Sequence, residues 1–314
     1  MSTVAVEPTI SAPGARPAGV SSPDDAAHSI QAMFDTIAPT YDRANHLLSF
    51  GLDRFWWSRA ARTLRPILAR PEAQVLDLCC GTGDLTLALD RYRPKVPQGL
   101  KPLPSATGIG TAEAVPLSKT APSTDRSTHW DPVIPNEGDR PASATVEGPA
   151  VAVKQPAPIL AADFSHNMLA LAQPKFAGRN IVTLEADALH LPLADSSIDL
   201  VTFAFGFRNL ADYAAGLAEL YRVLRPGGEI AILECNQPGG LIGWCYSLYF
   251  RRVLPTLGGL ISGTPRAYAY LPDSVQRFPR PPAMKQLITA AGFANPTWTS
   301  YTLGTAGLYR AAKP

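Results

Sequence analysis

The sequence has few residues of the kinds that build disulfide or metal sites. Its 314 residues include five histidines and four cysteines, with no C-x-x-C or Cys/His metal spacing. The vicinal pair Cys79-Cys80 lies in an apolar run, which favours small buried thiols over a redox or metal role. We therefore expect no metal site, and cysteine use of this kind fits the reducing cytoplasm.

A strong charge of one sign is also missing. The formal net charge is +2 at pH 7, which is too small to favour nucleic acid as a partner or strong overall attraction to anionic lipid. The most apolar long stretch, residues 241–260, is interrupted by Arg251, Arg252 and Pro255, so no transmembrane helix is predicted. Its aromatic residues beside two arginines suit a helix at a lipid interface, and equally a helix packed on the domain.

Two stretches lack the periodicity of packed structure. Residues 1–27 are rich in Ala, Pro and Ser without the basic start and apolar core of a signal peptide, which predicts a disordered tail. Residues 94–156 predict a disordered insertion within a single domain that spans 28–314. Because a helix-to-strand connection lies at the amino ends of parallel strands, the insertion should point away from a ligand site at the carboxyl ends.

The rest of the sequence alternates short apolar runs with helical patterns. Several runs are apolar on both faces, as is typical of strands buried between helices in a doubly wound parallel sheet. Beyond Gly292, two runs separated by a glycine turn predict an antiparallel edge. The predicted strands cover residues 74–80, 158–164, 181–186, 198–205, 229–234, 297–303 and 307–312.

The first strand breaks into a glycine turn before a helical pattern begins. Asp77 is followed by Gly81, Thr82 and Gly83, so that backbone N–H groups and a hydroxyl can approach a nucleotide-like ligand. A dinucleotide motif would have its third glycine where Thr86 stands. The spacing instead matches the D-x-G-x-G-x-G pattern of S-adenosylmethionine (SAM) methyltransferases, with cysteine in place of the first glycine. The turn favours SAM and leaves open a dinucleotide or a strand-turn-helix unit that binds no ligand.

Polar residues at later strand ends supply what an adenosine ligand needs. Asp163 ends the second strand, where a carboxylate can accept hydrogen bonds from both ribose hydroxyls; capping of the next helix is the alternative. At the end of the third strand, Asp187 and the backbone N–H of Ala188 can meet the adenine edge. The fourth strand is followed by Arg208 and Asn209, which at this edge face the same crevice; an ordinary solvated charge at a strand end is the alternative.

Together these motifs resemble the ubiquinone/menaquinone biosynthesis C-methyltransferases of the UbiE type. The resemblance covers nearly all of the chain outside the tail and the insertion. Its segments are Met33–Asp42, Leu48–Gly51, Val75–Thr86, Asp163–Ser165, Asp187–Leu189, Phe205–Asn209, Arg222–Gly228, Ala267–Pro272 and Ala291–Phe293.

The resemblance implies a Rossmann-like class I SAM-dependent methyltransferase, with a seven-stranded, mostly parallel α/β sheet. It places the family's SAM contacts on Thr82, Asp163, Asp187 and Ala188, whereas a serine contact of the family is Ala204 here. The predicted cofactor-binding set is Asp77, Gly81, Thr82, Gly83, Asp163, Asp187 and Ala188, and the predicted catalytic residues are Arg208 and Asn209.

The implied reaction is C-methylation of the ring of a prenylated quinol, with demethylmenaquinol favoured. A ubiquinone-precursor benzoquinol and a non-catalytic quinone-binding protein stay open as alternatives. Since the methyl group of SAM is already electrophilic, the enzyme must chiefly align the acceptor and make its ring carbon electron-rich. Arg208 stays protonated and can stabilise a phenolate or polarise a water that takes the proton, with Asn209 orienting that water.

Two further segments are expected near the acceptor. Tyr41, Asp42 and His46 can cap the site, although His46 is favoured as a residue of the helix surface. Residues 241–270 supply aromatics and glycines suited to a lid over the prenyl tail, or to ordinary packing against the sheet edge. The lipid acceptor implies a cytoplasmic enzyme in peripheral contact with the inner face of the membrane, and a homo-oligomer is left open.

Overall fold

A computed structural model describes residues 14–15, 17, 22–95, 155–253 and 265–314 of the chain. The chain divides into two units, residues 1–98 with 155–314 and residues 99–154. The second unit, and with it nearly all of the predicted insertion, lies outside the described residues. All elements named here belong to the first unit.

Seven strands form one sheet that confirms the predicted fold class. They are β1 (Val75–Leu78), β2 (Ile159–Asp163), β3 (Ile181–Glu185), β4 (Ile198–Ala204), β5 (Leu224–Cys235), β6 (Ala294–Tyr301) and β7 (Ala306–Ala312). Their order is β3-β2-β1-β4-β5-β7-β6. The first five pair in parallel, and β7 runs antiparallel to both β5 and β6. The antiparallel edge lies where the glycine-separated runs predict it.

Helices connect the strands and precede the sheet. They are α1 (Pro23–Leu48), α2 (Leu52–Thr63), α3 (Arg65–Leu68), α4 (Asp84–Asp90), α5 (His166–Phe176), α6 (Tyr213–Val223), α7 (Gly240–Leu248), α8 (Pro265–Arg277) and α9 (Pro281–Ala290). Short 3-10 turns cover Phe207–Asn209 and Thr302–Gly304, and a π-helical turn covers Tyr249–Val253. Within the described parts of the chain, no helix has the length and apolar character needed to span a bilayer.

The first helix begins earlier than the tail boundary predicted at residue 27. The hydroxyl of Ser22 accepts a hydrogen bond from the backbone N–H of Asp25, and Pro23 occupies the first turn of α1. A serine cap and a proline at this position both favour a helix start. Residues 1–13 lie outside the described residues, so the disorder of the tail stays a prediction.

The central strands of the sheet are buried on both faces, as their apolar runs predict, whereas the edge strands β3 and β6 are largely half-buried or exposed. Val75 packs in one core cluster with side chains of α2 and α4, such as Ala60 and Leu89. The next residue, Leu76, packs in a second cluster with Leu217 of α6. Because successive strand residues point to opposite faces, β1 needs apolar residues throughout. Every residue of β1, Asp77 included, is buried.

One buried arginine joins the two points where the chain leaves and re-enters the described unit around residues 96–154. The guanidinium of Arg93 donates to the carbonyls of Leu68, Arg70 and Ala73, and at 2.6 Å to the carbonyl of Ala157. Ala157 lies two residues before β2, at its amino end. The described ends of the connection therefore meet at the amino ends of the strands.

Candidate active site

Two adjoining cavities lie at the carboxyl ends of the parallel strands. The larger has a volume of about 270 Å³ and the smaller about 100 Å³. Four residues, Phe34, Tyr41, Cys79 and Gly81, line both. The carboxyl edge is where open α/β sheets bind ligands. The segments that follow β1, β2, β3 and β4 all contribute to these walls, as the strand-end motifs predict.

The glycine turn after β1 reaches the two cavities through one of its glycines. Gly81 has a φ of +56°, lines both cavities, and donates its N–H to Asp163 Oδ2 at 2.8 Å. Gly83, also predicted to bind the cofactor, lines neither cavity among the described residues. It has a φ of +89°, and a Cβ there would lie 2.4 Å from the ring of Phe176. Gly83 therefore serves the packing of α5 against the turn.

Asp77 is fully buried beneath the turn and lines the larger cavity. Its Oδ1 accepts from the hydroxyl of Thr202 and its Oδ2 from that of Thr86, both at 2.6 Å. Burial raises the pKa of Asp77 to about 6, although the two hydroxyls act in the opposite direction. Thr86 stands where a dinucleotide motif would have glycine, and its hydroxyl is used to hold this carboxylate.

Asp163 is a half-buried carboxylate in the wall of the smaller cavity. It accepts one backbone N–H on each oxygen, from Gly81 on Oδ2 and from Ser165 on Oδ1. The cap of α5 is Ser165, whose hydroxyl accepts from the N–H of Met168, so Asp163 is not the capping residue. Each oxygen keeps a second lone pair, which suits a carboxylate that also accepts from two ribose hydroxyls.

Asp187 and Ala188 complete the smaller cavity from the end of β3. The Oδ1 of Asp187 accepts the N–H of Leu189 at 2.9 Å, and its Oδ2 lies 3.2 Å from His190 Nδ1. These contacts fix the carboxylate, while the methyl group of Ala188 is buried. Carboxylates from two neighbouring strands thus border one small cavity, and this arrangement fits a nucleoside.

The first helix crosses this edge of the sheet and covers both cavities. The hydroxyl of Thr82 donates to Asp42 Oδ1 at 2.5 Å, and Lys175 Nζ donates to Asp42 Oδ2 at 2.7 Å. Tyr41 and Asp42 line the larger cavity, as the expected capping role requires. His46 does not line it; its Nδ1 lies 2.5 Å from Oδ2 of the buried Asp53.

Arg208 is buried in the wall of the larger cavity. Its Nη1 donates to Glu234 Oε1 at 2.8 Å and to the carbonyl of Phe205, and its Nε donates to Ser274 Oγ at 3.3 Å. Burial is the largest single influence on Arg208 and lowers its pKa, but the carboxylate of Glu234 together with weaker contributions from Cys235, Tyr41 and Tyr270 raises the pKa above its ordinary value. The side chain therefore stays cationic beside the cavity.

Asn209 lines the smaller cavity instead, so the structure separates the two predicted catalytic residues. Its Oδ1 accepts a hydrogen bond from the hydroxyl of Tyr270 at 3.2 Å. Tyr270 lines the larger cavity, and burial raises its pKa. Asn209 can thus act on the larger cavity through Tyr270.

Glu234 is the functional residue that the sequence reasoning missed. It ends the predicted strand 229–234, is fully buried, and accepts from the side chain of Arg208 and from the backbone N–H groups of Arg208 and Cys235. A carboxylate directly after the apolar run Ile230–Leu233 was the available signal, because a charge at the buried end of a strand needs a cation.

The larger cavity is mostly apolar and aromatic. Tyr246 and Tyr249, from the segment predicted as a lid, line it, while residues 254–264 of that segment lie outside the described residues. The thiols of Cys79 and Cys235 also line it; burial raises both pKa values, that of Cys235 to about 12. These thiols are neutral at physiological pH. No group of three or more metal-ligating side chains occurs in the parts of the chain with assigned positions.

Comparisons with known proteins agree with this geometry. The profile of the ubiE/COQ5 methyltransferase family matches residues 23–97 and 143–313. A demethylmenaquinone methyltransferase of Thermus thermophilus is 38% identical over 285 residues, covering 90% of this chain and 100% of that protein. A ubiquinone/menaquinone biosynthesis C-methyltransferase of Geotalea daltonii is 35% identical over 290 residues, covering 90% and 96%.

A solved structure supports the fold independently of close sequence similarity. A SAM-dependent methyltransferase of Thermotoga maritima, described as a possible histamine N-methyltransferase, superposes with a TM-score of 0.52 at 14% identity. The superposition covers 91% of this chain and all of that one. At this identity the likeness concerns the fold, which is that of SAM-dependent methyltransferases.

Proposed function

Because this chain belongs to the ubiE/COQ5 methyltransferase family, we propose that it transfers the methyl group of SAM to a ring carbon of a prenylated quinol, with demethylmenaquinol as the acceptor. One observation carries the proposal. A small cavity bordered by strand-end carboxylates adjoins a larger apolar cavity that contains a buried arginine. The first fits a nucleoside and the second fits a lipid ring whose hydroxyl must lose a proton.

The donor would be held by residues of the smaller cavity and the turn. We assign the ribose hydroxyls to Asp163 and the adenine edge to Asp187 and Ala188, all of which line that cavity. Gly81 lies where the two cavities meet, and Thr82 borders the larger one. When bound, SAM supplies an electrophilic methyl group on a sulfonium. Gly83 is left out of this assignment because it contacts neither cavity.

Arg208 is assigned to the acceptor hydroxyl. Its pKa is raised by Glu234, so it cannot serve as a general base and acts instead as a fixed positive charge. A phenolate that forms beside it is stabilised, and this makes the neighbouring ring carbon nucleophilic. The hydroxyl proton leaves to water, the carbon–carbon bond forms as the carbon–sulfur bond breaks, and transfer of the ring proton to the oxygen through water restores the aromatic quinol. Asn209 contributes by orienting Tyr270 rather than by contacting the same water as Arg208.

The acceptor fixes where the enzyme works. A prenyl tail keeps the quinol within a bilayer, so the proposal includes cytoplasmic placement and peripheral contact with the membrane face. Among the described residues, no helix is long and apolar enough to cross the bilayer.

Transfer of radiolabelled methyl from SAM to demethylmenaquinol tests the proposal. We expect label in the lipid fraction, with a lower kcat/KM for the ubiquinone-precursor benzoquinol. That acceptor is tested because the name of the Geotalea relative includes ubiquinone biosynthesis as well as menaquinone biosynthesis. Label in the benzoquinol alone would reassign the acceptor. Tight SAM binding with no methyl transfer to either lipid would overturn the proposed methyltransferase activity and favour a quinone-binding protein.

A further inference from the structure

The exposed apolar side chains are concentrated around the larger cavity. Of the twelve large apolar side chains that are exposed among the described residues, ten lie in residues 47–55, 241–253 and 302–304, which we call the apolar rim. Phe50 and Leu241 are each 77% exposed, Leu303 75% and Trp244 65%. Monomeric proteins ordinarily scatter such residues singly, so this concentration indicates an interaction surface.

Direct contacts join two segments of the apolar rim, residues 47–55 and 241–253, and the residue that follows the first segment contacts the third. The Tyr249 hydroxyl donates to the carbonyl of Leu48 at 2.8 Å, and its ring centroid lies 5.7 Å from that of Phe50. Trp56 Nε1 donates to Thr302 Oγ1 at 2.7 Å. Phe50, Tyr249 and Thr302 also line the larger cavity, so the apolar rim borders the site of the acceptor.

The exposed charged side chains of the described rim residues are cationic. They are Arg54 and Arg252, and the one carboxylate in the three segments is that of Asp53. Asp53 is 3% exposed and is paired with His46. Arg54 is exposed. An apolar surface with arginines and no exposed carboxylate is complementary to anionic lipid headgroups. The formal net charge of +2 for the whole chain conceals this local excess.

We propose that the apolar rim docks the protein on an anionic lipid bilayer, so that the prenyl tail passes from the bilayer into the larger cavity without crossing water. Leu241 and Trp244 are three residues apart on α7 and therefore share a face that enters the acyl boundary. Arg54 meets the headgroups. The inference rests on the proposed function, because a lipid acceptor explains why this surface borders the site.

Vesicle binding tests the surface directly. Full-length protein is sedimented with phosphatidylcholine vesicles that contain or lack phosphatidylglycerol, at low and high salt. The variant L241S/W244S removes two rim side chains that line neither cavity, and L171S/V182S removes two equally apolar, exposed side chains outside the rim. We expect L241S/W244S to lower partitioning about tenfold and L171S/V182S to leave it unchanged. R54E should abolish the preference for phosphatidylglycerol at low salt.

Methyl transfer to two acceptors separates docking from chemistry. A demethylmenaquinol analogue with a one-isoprene tail is presented in solution, and a long-tailed quinol is presented in vesicles. We expect L241S/W244S to keep wild-type kcat/KM for the short acceptor and to lose about tenfold for the vesicle-bound one, in proportion to its lost partitioning. The control variant should match wild type with both.

Three outcomes would overturn the docking surface. One is equal vesicle binding by wild type and L241S/W244S. A second is a wild-type dimer that L241S/W244S converts to a monomer without any vesicle binding, which would assign the rim to a second copy of the chain. A third is loss of activity with the short acceptor. Failure of the proposed function looks different, since vesicle binding would persist without methyl transfer to either acceptor.

Discussion

The two cavities share four wall residues but are built in different ways. The smaller one is lined largely by side chains within a few residues of a strand end, such as Asp163, Asp187 and Asn209. The larger one draws on α1, the α1–α2 junction, α7 and α8, which come together only in the folded chain. Donor recognition is therefore a local property of the sheet edge, whereas acceptor recognition depends on tertiary packing.

The largest expected effect is a loss of turnover without a loss of SAM binding. R208A should lower kcat about 100-fold or more while leaving the Kd for SAM unchanged, because Arg208 is assigned to the acceptor hydroxyl and lies away from the carboxylates of the smaller cavity. The variant also leaves Glu234 buried without its cation, at a cost of about 3–5 kcal/mol in the free energy of unfolding. Single-turnover kinetics measures the methyl-transfer rate, calorimetry measures the Kd for SAM, and urea denaturation measures the free energy of unfolding.

A companion variant keeps that prediction testable if R208A does not fold. The double substitution R208M/E234Q removes both charges of the buried pair and should recover most of the unfolding free energy without recovering turnover. Wild-type kcat in either folded variant would refute the role of Arg208.

The next effect separates the two glycines of the turn. G83A should lower the free energy of unfolding by about 3–4 kcal/mol, since its new methyl group meets Phe176 at a left-handed backbone position. G81A meets only the ring of Tyr41, at 4.0 Å, and should cost about 1 kcal/mol of stability. G81A should instead weaken SAM about tenfold, because its methyl group enters both cavities. Urea denaturation measures the unfolding free energy of the two variants, and calorimetry measures their affinity for SAM. Equal losses of stability in G83A and G81A would contradict the prediction.

The third effect concerns the carboxylate beneath the turn. Folding raises the pKa of Asp77 to about 6, so the folded protein binds this proton more tightly than the unfolded chain. The stability contributed by Asp77 is thus greatest below about pH 4 and falls as pH rises to about 6, by about 2–3 kcal/mol. In D77N this part of the pH dependence should vanish. Denaturation curves of both proteins between pH 4 and pH 7 test it, and parallel curves would be inconsistent with a raised pKa.

The smallest effect is expected from a deletion within the predicted insertion. Excising residues 95–153 and bridging the gap with a short Gly/Ser linker should leave kcat within about twofold and the unfolding free energy within about 1 kcal/mol. Arg93 already holds the two flanking segments together at the amino ends of the strands. A deletion variant that folds but loses most of its turnover would show that the excised residues serve the site.

The sequence predicts the donor side well because its signals are local. Alternating apolar runs predict the parallel sheet, and the acids that end β2 and β3 line the predicted crevice as Asp163 and Asp187. Gly81 also lines the cavities as predicted, because it belongs to the turn that directly follows β1. Gly83 fits the same motif, yet its position is determined by Phe176, which lies far along the chain.

The acceptor side depends on partners that no local pattern identifies. Arg208 is predicted at a strand end, but its pairing with Glu234 and Ser274 joins three separate segments. Asn209 follows it directly in sequence and faces the other cavity because the 3-10 turn rotates successive side chains apart. Such pairings are set by folding as a whole, so sequence reasoning identified the residues without their contacts.

Phe34 and Tyr41 of α1 belong to the walls of both cavities. A ligand that binds in one cavity and orders α1 therefore also orders part of the wall of the other cavity. By thermodynamic linkage, the factor by which bound donor tightens the acceptor must equal the factor by which bound acceptor tightens the donor. We expect binding of the two substrates to be positively cooperative, with α1 as the shared element that couples them.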